Sequence, residues 1–486
     1  MQDRQSIRFL LGSESRELTD VLPTTTVLEY LRTVERMTGT KEGCAEGDCG
    51  ACTVVVAEDI NGKLRYKACN SCIMFVPFLH GKQLITVEHL KDRNDELHPV
   101  QQAMVDQHGS QCGFCTPGFV MSLFGMYHNG CDTSRIAIDD ALAGNLCRCT
   151  GYAPIVRAAR QALDGHLPDQ FDHREKQTLR SLSELNVAPS VHLNLSQQSY
   201  HAPATVKELA QILKEKPASR IVAGATDVGL WVTKERRHLD CVISVSDIQE
   251  LQSISIEKGL IRIGAAATIA EAMDTLSSYY PSLDELFRRY GSVQVRNQAT
   301  IGGNVANGSP IGDSLPVLVA LDAKLIISSA SGSRTLPAED YFIDYGKQDL
   351  KPGEFLERID LPLPVEGQQF RVYKLSKRFH QDISAVCGAF SLTLDDGIIQ
   401  AVRISFGGMA ATPRRAFNCE EALVGSPLTD DAIVKGRQAL QRDFAPITDF
   451  RGTSDYRTRV AGNLLERLFD ELSGREQIIV WEADYA

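Results

Sequence analysis

Cys44-Ala45-Glu46-Gly47-Asp48-Cys49-Gly50-Ala51-Cys52 sets three thiols in one loop with the spacing C-x4-C-x2-C, and a further thiol follows in Asn70-Ser71-Cys72. Three clustered thiolates and one distant thiolate form the ligand pattern of a plant-type [2Fe–2S] centre. Gly43, Gly47 and Gly50 permit positive φ, which lets the backbone wrap a rhombic cluster and turn N–H groups toward its sulfurs. Two other readings compete. Four cysteines can be small buried fillers, but fillers have no reason to keep this spacing. Structural zinc favours paired C-x2-C knuckles and has no use for the extra four-residue arm.

The surroundings of the loop read as strands and one helix. Ile7-Arg8-Phe9-Leu10 alternates like a strand. Thr24 to Thr26 offer an N-cap for a helix whose Val27, Leu28 and Leu31 face a core. Thr53 to Ala57 is a β-branched run, Asn61-Gly62 marks a hairpin, Leu64 to Ala68 returns, and Leu84 to Glu88 closes the unit.

From Pro99 the periodicity becomes helical. Pro99 takes the first position of one helix, Val120 to Tyr127 forms a second, Ser134 to Ala143 a third and Pro154 to Leu163 a fourth. Cys112-Gly113-Phe114-Cys115 precedes the second helix, and Cys147-Arg148-Cys149 precedes the fourth. The positive end of a helix dipole lowers a thiol pKa and stabilises an anionic cluster. C-x2-C with C-x-C suits a second [2Fe–2S] centre, with zinc as the competing reading. Cys131, at the far end of a helix, reads as a plain thiol.

Ser110-Gln111-Cys112-Gly113-Phe114-Cys115-Thr116-Pro117-Gly118 and Gly144-Asn145-Leu146-Cys147-Arg148-Cys149-Thr150-Gly151-Tyr152 resemble the twin-cluster motifs of the xanthine oxidase family of molybdenum hydroxylases. The resemblance selects Cys72 over Cys69 as fourth ligand of the first cluster, because Asn-Ser-Cys looks like the family's pattern before Thr86-Val87-Glu88. It implies ligand sets Cys44, Cys49, Cys52, Cys72 and Cys112, Cys115, Cys147, Cys149. It also implies that Gln111 contacts a molybdopterin.

Residues 166–196 are polar with little periodicity and read as an exposed tether, with His166, His173 and His192 solvated. Beyond it lie two glycine-rich stretches, Ile221-Val222-Ala223-Gly224-Ala225-Thr226-Asp227-Val228 and Thr300-Ile301-Gly302-Gly303-Asn304. Neither is a dinucleotide GxGxxG fingerprint. Both offer clustered backbone N–H groups of the kind that hold phosphate. The same resemblance makes them the pyrophosphate loops of an FAD domain of the vanillyl-alcohol-oxidase type. It implies further that Asp313 binds the sugar end, Tyr290 and Leu356 contact the cofactor, and Lys374 sits near the isoalloxazine.

The expected architecture is multidomain α+β. Residues 1–92 form a ferredoxin-like domain, 93–165 a four-helix [2Fe–2S] domain, 166–196 the linker, 197–368 the FAD domain and 369–486 a small α+β domain. A net charge of −11 argues against a nucleic-acid partner. The absence of an eighteen-residue apolar run argues against a membrane span. Ten of the thirteen cysteines precede residue 150, which suits metal ligation in a reducing cytoplasm. No segment supplies a molybdopterin-binding part. The resemblance therefore implies the small, electron-carrying subunit of an α2β2 assembly, with molybdopterin on a large partner subunit and NAD+ as acceptor.

Overall fold

A computed structural model describes residues 5–92, 94–130, 132–185 and 190–475; Cys131 and the residues after 475 lie outside that range. The chain divides into two compact units. The first holds residues 1–252, 268–271 and 291–300; the second holds 253–267, 272–290 and 301–486.

The first unit begins with a five-stranded sheet. Its strands are β1 (Ile7–Leu11), β2 (Glu14–Leu18), β3 (Thr53–Ile60), β4 (Lys63–Asn70) and β5 (Gln83–Ile85), in the order β2-β1-β5-β3-β4. β1 and β5 run parallel and the other pairs antiparallel. The expected hairpin is present, with Asn61 and Gly62 both at positive φ. Thr26 caps the following turn by accepting from Glu29 N–H, and Val27, Leu28 and Leu31 are buried as anticipated. After one α-turn, however, Tyr30–Val34 widens into a π-helix, which periodicity alone did not announce.

Four helices follow: Pro99–Asp106, Thr116–His128, Arg135–Leu142 and Ala153–Asp164. Phe119, Phe124, Ile138, Ile155 and Ala159 pack against Val55, Ala57 and Tyr66 of the sheet, so strands and helices share one core. A second sheet, β6 (Val191–Asn194), β7 (Ser199–Ala202), β8 (Arg220–Val222) and β9 (Cys241–Ser244), has the order β6-β7-β9-β8. Tyr200, Val222 and Val242 join the core formed by Ile7, Phe9, Val54 and Phe75.

The expected exposed tether is corrected. Gln170–Leu185 is a helix whose Leu182 and Leu185 are buried beside Leu10 and Leu64. Glu175 accepts from Leu64 N–H at 3.1 Å. Asp169 anchors the start of the helix. One carboxylate oxygen accepts from Phe171 N–H at 2.7 Å. The other lies 2.6 Å from His98 Nε2 and 3.0 Å from His128 Nε2. Burial opposes ionisation of Asp169, yet the two histidines hold its carboxyl far below the usual range. His98, His128 and Asp169 are the only trio among the described residues with metal-ligand types and atoms within 4.8 Å of one another. Yet His98 Nδ1 accepts from Val100 N–H at 3.2 Å, so its proton sits on Nε2, the atom a metal would need. The trio is a hydrogen-bonded clamp on the helix. Of the three histidines expected to be solvated, His166 and His173 are exposed, but His192 lies in β6 and pairs with Glu208 at 3.3 Å.

An ion network ties the first sheet to Asp247 and Glu271 of the same unit. Glu58 on β3 bonds Lys67 at 2.9 Å and Lys82 at 3.3 Å; Lys67 reaches Glu271 and Lys82 reaches Asp247. Burial alone would raise the Glu58 carboxyl, but Lys82 and Lys67 bring it down to about 2. A carboxyl lowered on folding contributes stability that is complete above its unfolded value of 4.5 and is lost as pH falls toward 2. That contribution is about 3 kcal/mol at neutral pH. Glu58→Gln is expected to lower stability by this order at pH 7 and to flatten the acid limb of stability between pH 5 and pH 3, measured by denaturant unfolding.

The second unit carries two larger antiparallel sheets besides the short Phe342–Asp344 and Lys347–Gln348 pair. Five strands, Ile254–Glu257, Leu260–Gly264, Phe355–Pro362, Lys324–Ser329 and Gly332–Pro337, form one. Gln368–Leu375, Val386–Asp395, Ile398–Gly407 and Arg414–Arg415 form the other. The helices Asp430–Asp443 and Ser454–Leu472 bury Ile433, Leu440, Leu464 and Leu468 against that second sheet.

Candidate functional site: two cysteine quartets and a flavin cradle

The four sulfurs of the first quartet form one connected run, Cys49–Cys44–Cys72–Cys52. Cys44 is within hydrogen-bonding reach of Cys49 and Cys72, and Cys72 also of Cys52. Cys52 and Cys72 are buried, while Cys44 and Cys49 are half-buried. The thiols compete for charge. Hydrogen bonds from Cys49 and from Cys72 pull Cys44 and Cys52, respectively, below the usual thiol range. The bond each makes to Cys44 pushes Cys49 and Cys72 up. Four thiolates at once therefore require bound cationic centres. Backbone N–H groups of Glu46 and Cys49 point at Cys44 Sγ, each at 3.4 Å. Cys69 takes no part. Its thiol donates to Lys67 O, and burial raises it to about 12.

Of the glycines expected at positive φ, Gly47 and Gly50 are found there, but Gly43 is not. Gly43 is needed for space, since a Cβ would stand 2.7 Å from Cys49 Sγ.

The second quartet resolves into two pairs, Cys112 with Cys149 and Cys115 with Cys147. Cys112 and Cys149 are exposed. Thr150 donates its N–H to Cys147 Sγ at 3.4 Å, and its hydroxyl lies 3.1 Å away. Burial works against the Cys147 thiolate, but these bonds prevail and lower its pKa. Cys115 is at the N-cap of the Thr116–His128 helix, yet burial and then Cys147 raise its thiol to about 12. The helix dipole expected to lower it is outweighed.

Spacing discriminates between one ion and a cluster. Tetrahedral zinc with bonds of about 2.3 Å needs all four sulfurs roughly 3.8 Å apart. Among the described residues no three cysteine sulfurs lie mutually within 4.8 Å. Thiols spread wider than that suit a two-iron cluster better than a single ion. Among the described residues no cysteine is in a disulfide.

The two cysteine loops are laced together. Leu146, next to Cys147, donates its N–H to Cys49 O at 3.0 Å. Asn145 Nδ2 donates to Gly50 O at 3.0 Å and to Thr53 Oγ1 at 3.2 Å. Ser122 Oγ donates to Asn145 Oδ1 at 2.6 Å. The fully buried Gln294 closes the knot, donating to Ser122 Oγ at 3.0 Å and Asn145 Oδ1 at 3.1 Å. Asn145 lies inside a motif visible in the sequence; nothing in the sequence pointed to Gln294, which is remote along the chain.

The flavin candidates divide between the units. In the first, Ile221 and Val222 end β8, Ala223 to Asp227 form the loop, and Val228 opens a helix. Ala225 is held at φ +58, and a Cβ on Gly224 would lie 1.7 Å from Gln298 O, so this loop is pressed against the stretch leading to Thr300. The helix ends on the first cysteine loop: Thr233 Oγ1 donates to Ala45 O at 2.9 Å, and Lys234 donates to Cys44 O. Thr300 is itself buried.

In the second unit Ile301, Gly302, Gly303 and Asn304 are not a loop but the start of the helix Ile301–Asn307. Gly302 lies so close to Ala265 that a Cβ would stand 2.4 Å from its carbonyl. Asn304 Oδ1 accepts from Ser314 Oγ at 2.6 Å. Asp313 and Lys374 are joined directly, Lys374 Nζ donating to Asp313 Oδ2 at 2.5 Å, and Ser384 Oγ donates to Asp313 Oδ1 at 2.5 Å. Both members of the pair are buried, so Lys374 is not a solvated surface lysine. Leu356 is buried in its strand, and Tyr290 is partly exposed after the Leu283–Arg288 helix.

Comparison with known proteins agrees with this inventory. Four family models match in order: a 2Fe-2S iron-sulfur cluster binding domain over residues 10–77, a [2Fe-2S] binding domain over 86–160, the FAD binding domain in molybdopterin dehydrogenase over 194–364, and the CO dehydrogenase flavoprotein C-terminal domain over 371–472. Xanthine dehydrogenase of Emericella nidulans is 31% identical over 90% of this chain and 36% of its own length. Xanthine dehydrogenase/oxidase of Gallus gallus is 30% identical over 89% and 38%. Aldehyde oxidase 1 of Bos taurus is 29% identical over 89% and 37%. The chain thus spans little more than a third of the length of these relatives. Among solved structures, reconstituted CO dehydrogenase from Oligotropha carboxidovorans is similar, with TM-score 0.54 and 28% identity over 58% of this chain and 100% of that one. Quinoline 2-oxidoreductase from Pseudomonas putida 86 has TM-score 0.53 and 25% identity over 58% and 99%.

These matches show two 2Fe-2S domains, an FAD-binding domain and a flavoprotein C-terminal domain in one chain, similar to the corresponding part of xanthine dehydrogenases and aldehyde oxidase. Among the described residues no helix is long and apolar enough to cross a membrane.

Proposed function

We propose that this chain is the electron-carrying small subunit of a xanthine dehydrogenase, working beside a molybdopterin-binding large subunit in an α2β2 assembly in the cytoplasm. Cys44, Cys49, Cys52 and Cys72 would hold one [2Fe–2S] cluster, and Cys112, Cys115, Cys147 and Cys149 the other. Ala223 to Asp227, Thr300 to Asn304, Asp313 and Lys374 would hold FAD. In domain terms, residues 1–92 would be ferredoxin-like, 93–165 a four-helix cluster domain, 197–368 a vanillyl-alcohol-oxidase-type flavin domain and 369–486 its α+β companion. When bound, the clusters would supply one-electron transfer and FAD the exchange of electron pairs, which would link a molybdenum centre on the partner to NAD+ in the oxidation of hypoxanthine and xanthine to urate.

The observation that carries this reading is the double quartet, with Leu146 N–H bonded to Cys49 O across the two loops at 3.0 Å. The chain's own residues do the positioning. Gln294 and Asn145 fix the two loops, and the Val228–Thr233 helix fixes the flavin loop to the first of them. Exposed Cys112 and Cys149, with Phe114 and Leu146 exposed beside them, suit hand-over from a partner chain.

A second reading, supported by the likeness to aldehyde oxidase and quinoline 2-oxidoreductase, keeps the electron path but changes the substrate to an aldehyde or N-heterocycle. The test is purification with the native partner and assay of NAD+ reduction by xanthine, an aldehyde and quinoline. Turnover of xanthine above the other two supports the proposal; preference for either of the others sinks it. A colourless zinc protein would remove redox work altogether.

A further inference from the structure

Four titratable side chains unused by the cysteine and flavin sites form a continuous hydrogen-bonded chain in the first unit. His192 on β6 and His201 on β7 are direct cross-strand partners, with Nδ1 atoms 2.7 Å apart. His201 Nε2 lies 2.8 Å from Lys216 Nζ. His192 Nε2 lies 3.3 Å from Glu208 Oε1. The other Glu208 oxygen accepts from Ser190 Oγ at 2.7 Å and from Ala204 N–H at 2.9 Å. Glu208 sits in the first turn of the Val206–Glu215 helix and Lys216 is its C-cap, so the chain ties the β6–β7 hairpin to both ends of that helix.

The donors run in one direction. An ammonium has no lone pair, so His201 Nε2 must accept and its proton resides on Nδ1. That proton points at His192 Nδ1, which must accept in turn. The His192 proton is then on Nε2, facing the Glu208 carboxylate. Every contact is satisfied with both rings neutral. A second proton on either imidazole sets two N–H groups face to face at 2.7 Å, or an N–H against the Lys216 ammonium. His201 is buried, and burial, then Lys216 and His192, lower its pKa to about 4.

We propose that Lys216, His201, His192 and Glu208 form an acid-sensitive latch, which holds the β6–β7 hairpin to the Val206–Glu215 helix while both imidazoles are neutral and releases it when either takes a second proton. The latch bears on the site because β7 pairs with β9, and β9 with β8, whose end is the start of the Ala223–Asp227 loop. It depends on no cofactor assignment.

Hydrogen exchange of the full chain at pH 7 and pH 5, read by mass spectrometry and corrected for intrinsic rates, tests it. A proton taken up between an open value of 6.5 and a latched value of about 4 favours opening about twentyfold more at pH 5 than at pH 7. Peptides spanning Val191–Ala202 should lose protection by that factor, while the Gln368–Leu375 strand holds its own. His192→Phe with His201→Phe, an aromatic cross-strand pair, should abolish the pH dependence. Lys216→Met, which removes the opposing cation, should make it shallower. Equal wild-type protection at both pH values overturns the proposal, as does a Phe pair that keeps the full loss. Should the Phe pair not fold, the wild-type and Lys216→Met profiles decide.

Discussion

Cys72→Ser is expected to remove half of the protein's iron and one of two cluster signals in EPR of the reduced protein, whereas Cys69→Ser leaves both intact. The two thiols are close in sequence and both buried, so sequence distance does not separate them. Their surroundings do. Cys72 faces Cys44 and Cys52 inside the quartet. Cys69 is paired with Val54 in the β3–β4 ladder, and its thiol is turned to Lys67 O. For Cys69 to replace Cys72, β4 would have to leave its register, breaking ladder bonds worth about 1 kcal/mol each along with the packing of a buried strand. Rescue by the neighbour is therefore not expected. Iron content, EPR and far-UV circular dichroism of the two variants decide it; loss of a signal in Cys69→Ser with retention in Cys72→Ser would reverse the ligand assignment.

Gly50→Ala is expected to cost more than any other single methyl added to the cysteine loops. Gly50 sits at φ +67, and its Cβ would stand 2.0 Å from Gly144 O, a backbone atom that has little freedom to retreat. The left-handed strain alone costs about 1–2 kcal/mol. The clash adds to it by forcing the two loops apart, with loss of the Leu146–Cys49 and Asn145–Gly50 hydrogen bonds at about 1 kcal/mol apiece. A total of roughly 3–5 kcal/mol follows. Gly62→Ala separates the two effects. Gly62 has φ +81 but nothing within 4 Å of its Cβ position, so it carries the strain without the clash. Denaturant unfolding of both variants should show Gly50→Ala the more destabilised by at least about 2 kcal/mol. Equal losses would mean that the loops do not touch as described.

What could be read from the chain was local. Cysteine spacing marked out both groups of thiols, though not which of Cys69 and Cys72 completes the first, because a metal-ligand set fixes residue types at fixed offsets. The hairpin at Asn61-Gly62, the cap at Thr26 and the helices after Pro99 follow from short-range chemistry and are where they were expected. The Gln170–Leu185 helix was missed because its apolar residues are sparse: Leu182 and Leu185 form too narrow a stripe for periodicity to register. Asp169, its anchor, gains meaning only beside His98 and His128, which are distant in sequence. Ile301–Asn307 reads as a glycine turn yet folds as a helix, because tertiary packing on Ala265 outweighs the low helix propensity of Gly302 and Gly303. The choice between Cys69 and Cys72 needed a family likeness, since both fit the spacing. Lys374 was placed by its motif, but its pairing with Asp313 lies 61 residues away and no local rule reaches that far.

The central claim is that eight named thiols hold two separate two-iron clusters in a flavin-binding chain. Iron, acid-labile sulfide and flavin analysis of the purified protein, with EPR of its dithionite-reduced form, addresses it directly. The account predicts four irons and four sulfides per FAD, with two distinguishable cluster signals. Stoichiometric zinc in place of iron, or a single signal at two irons per chain, would contradict it.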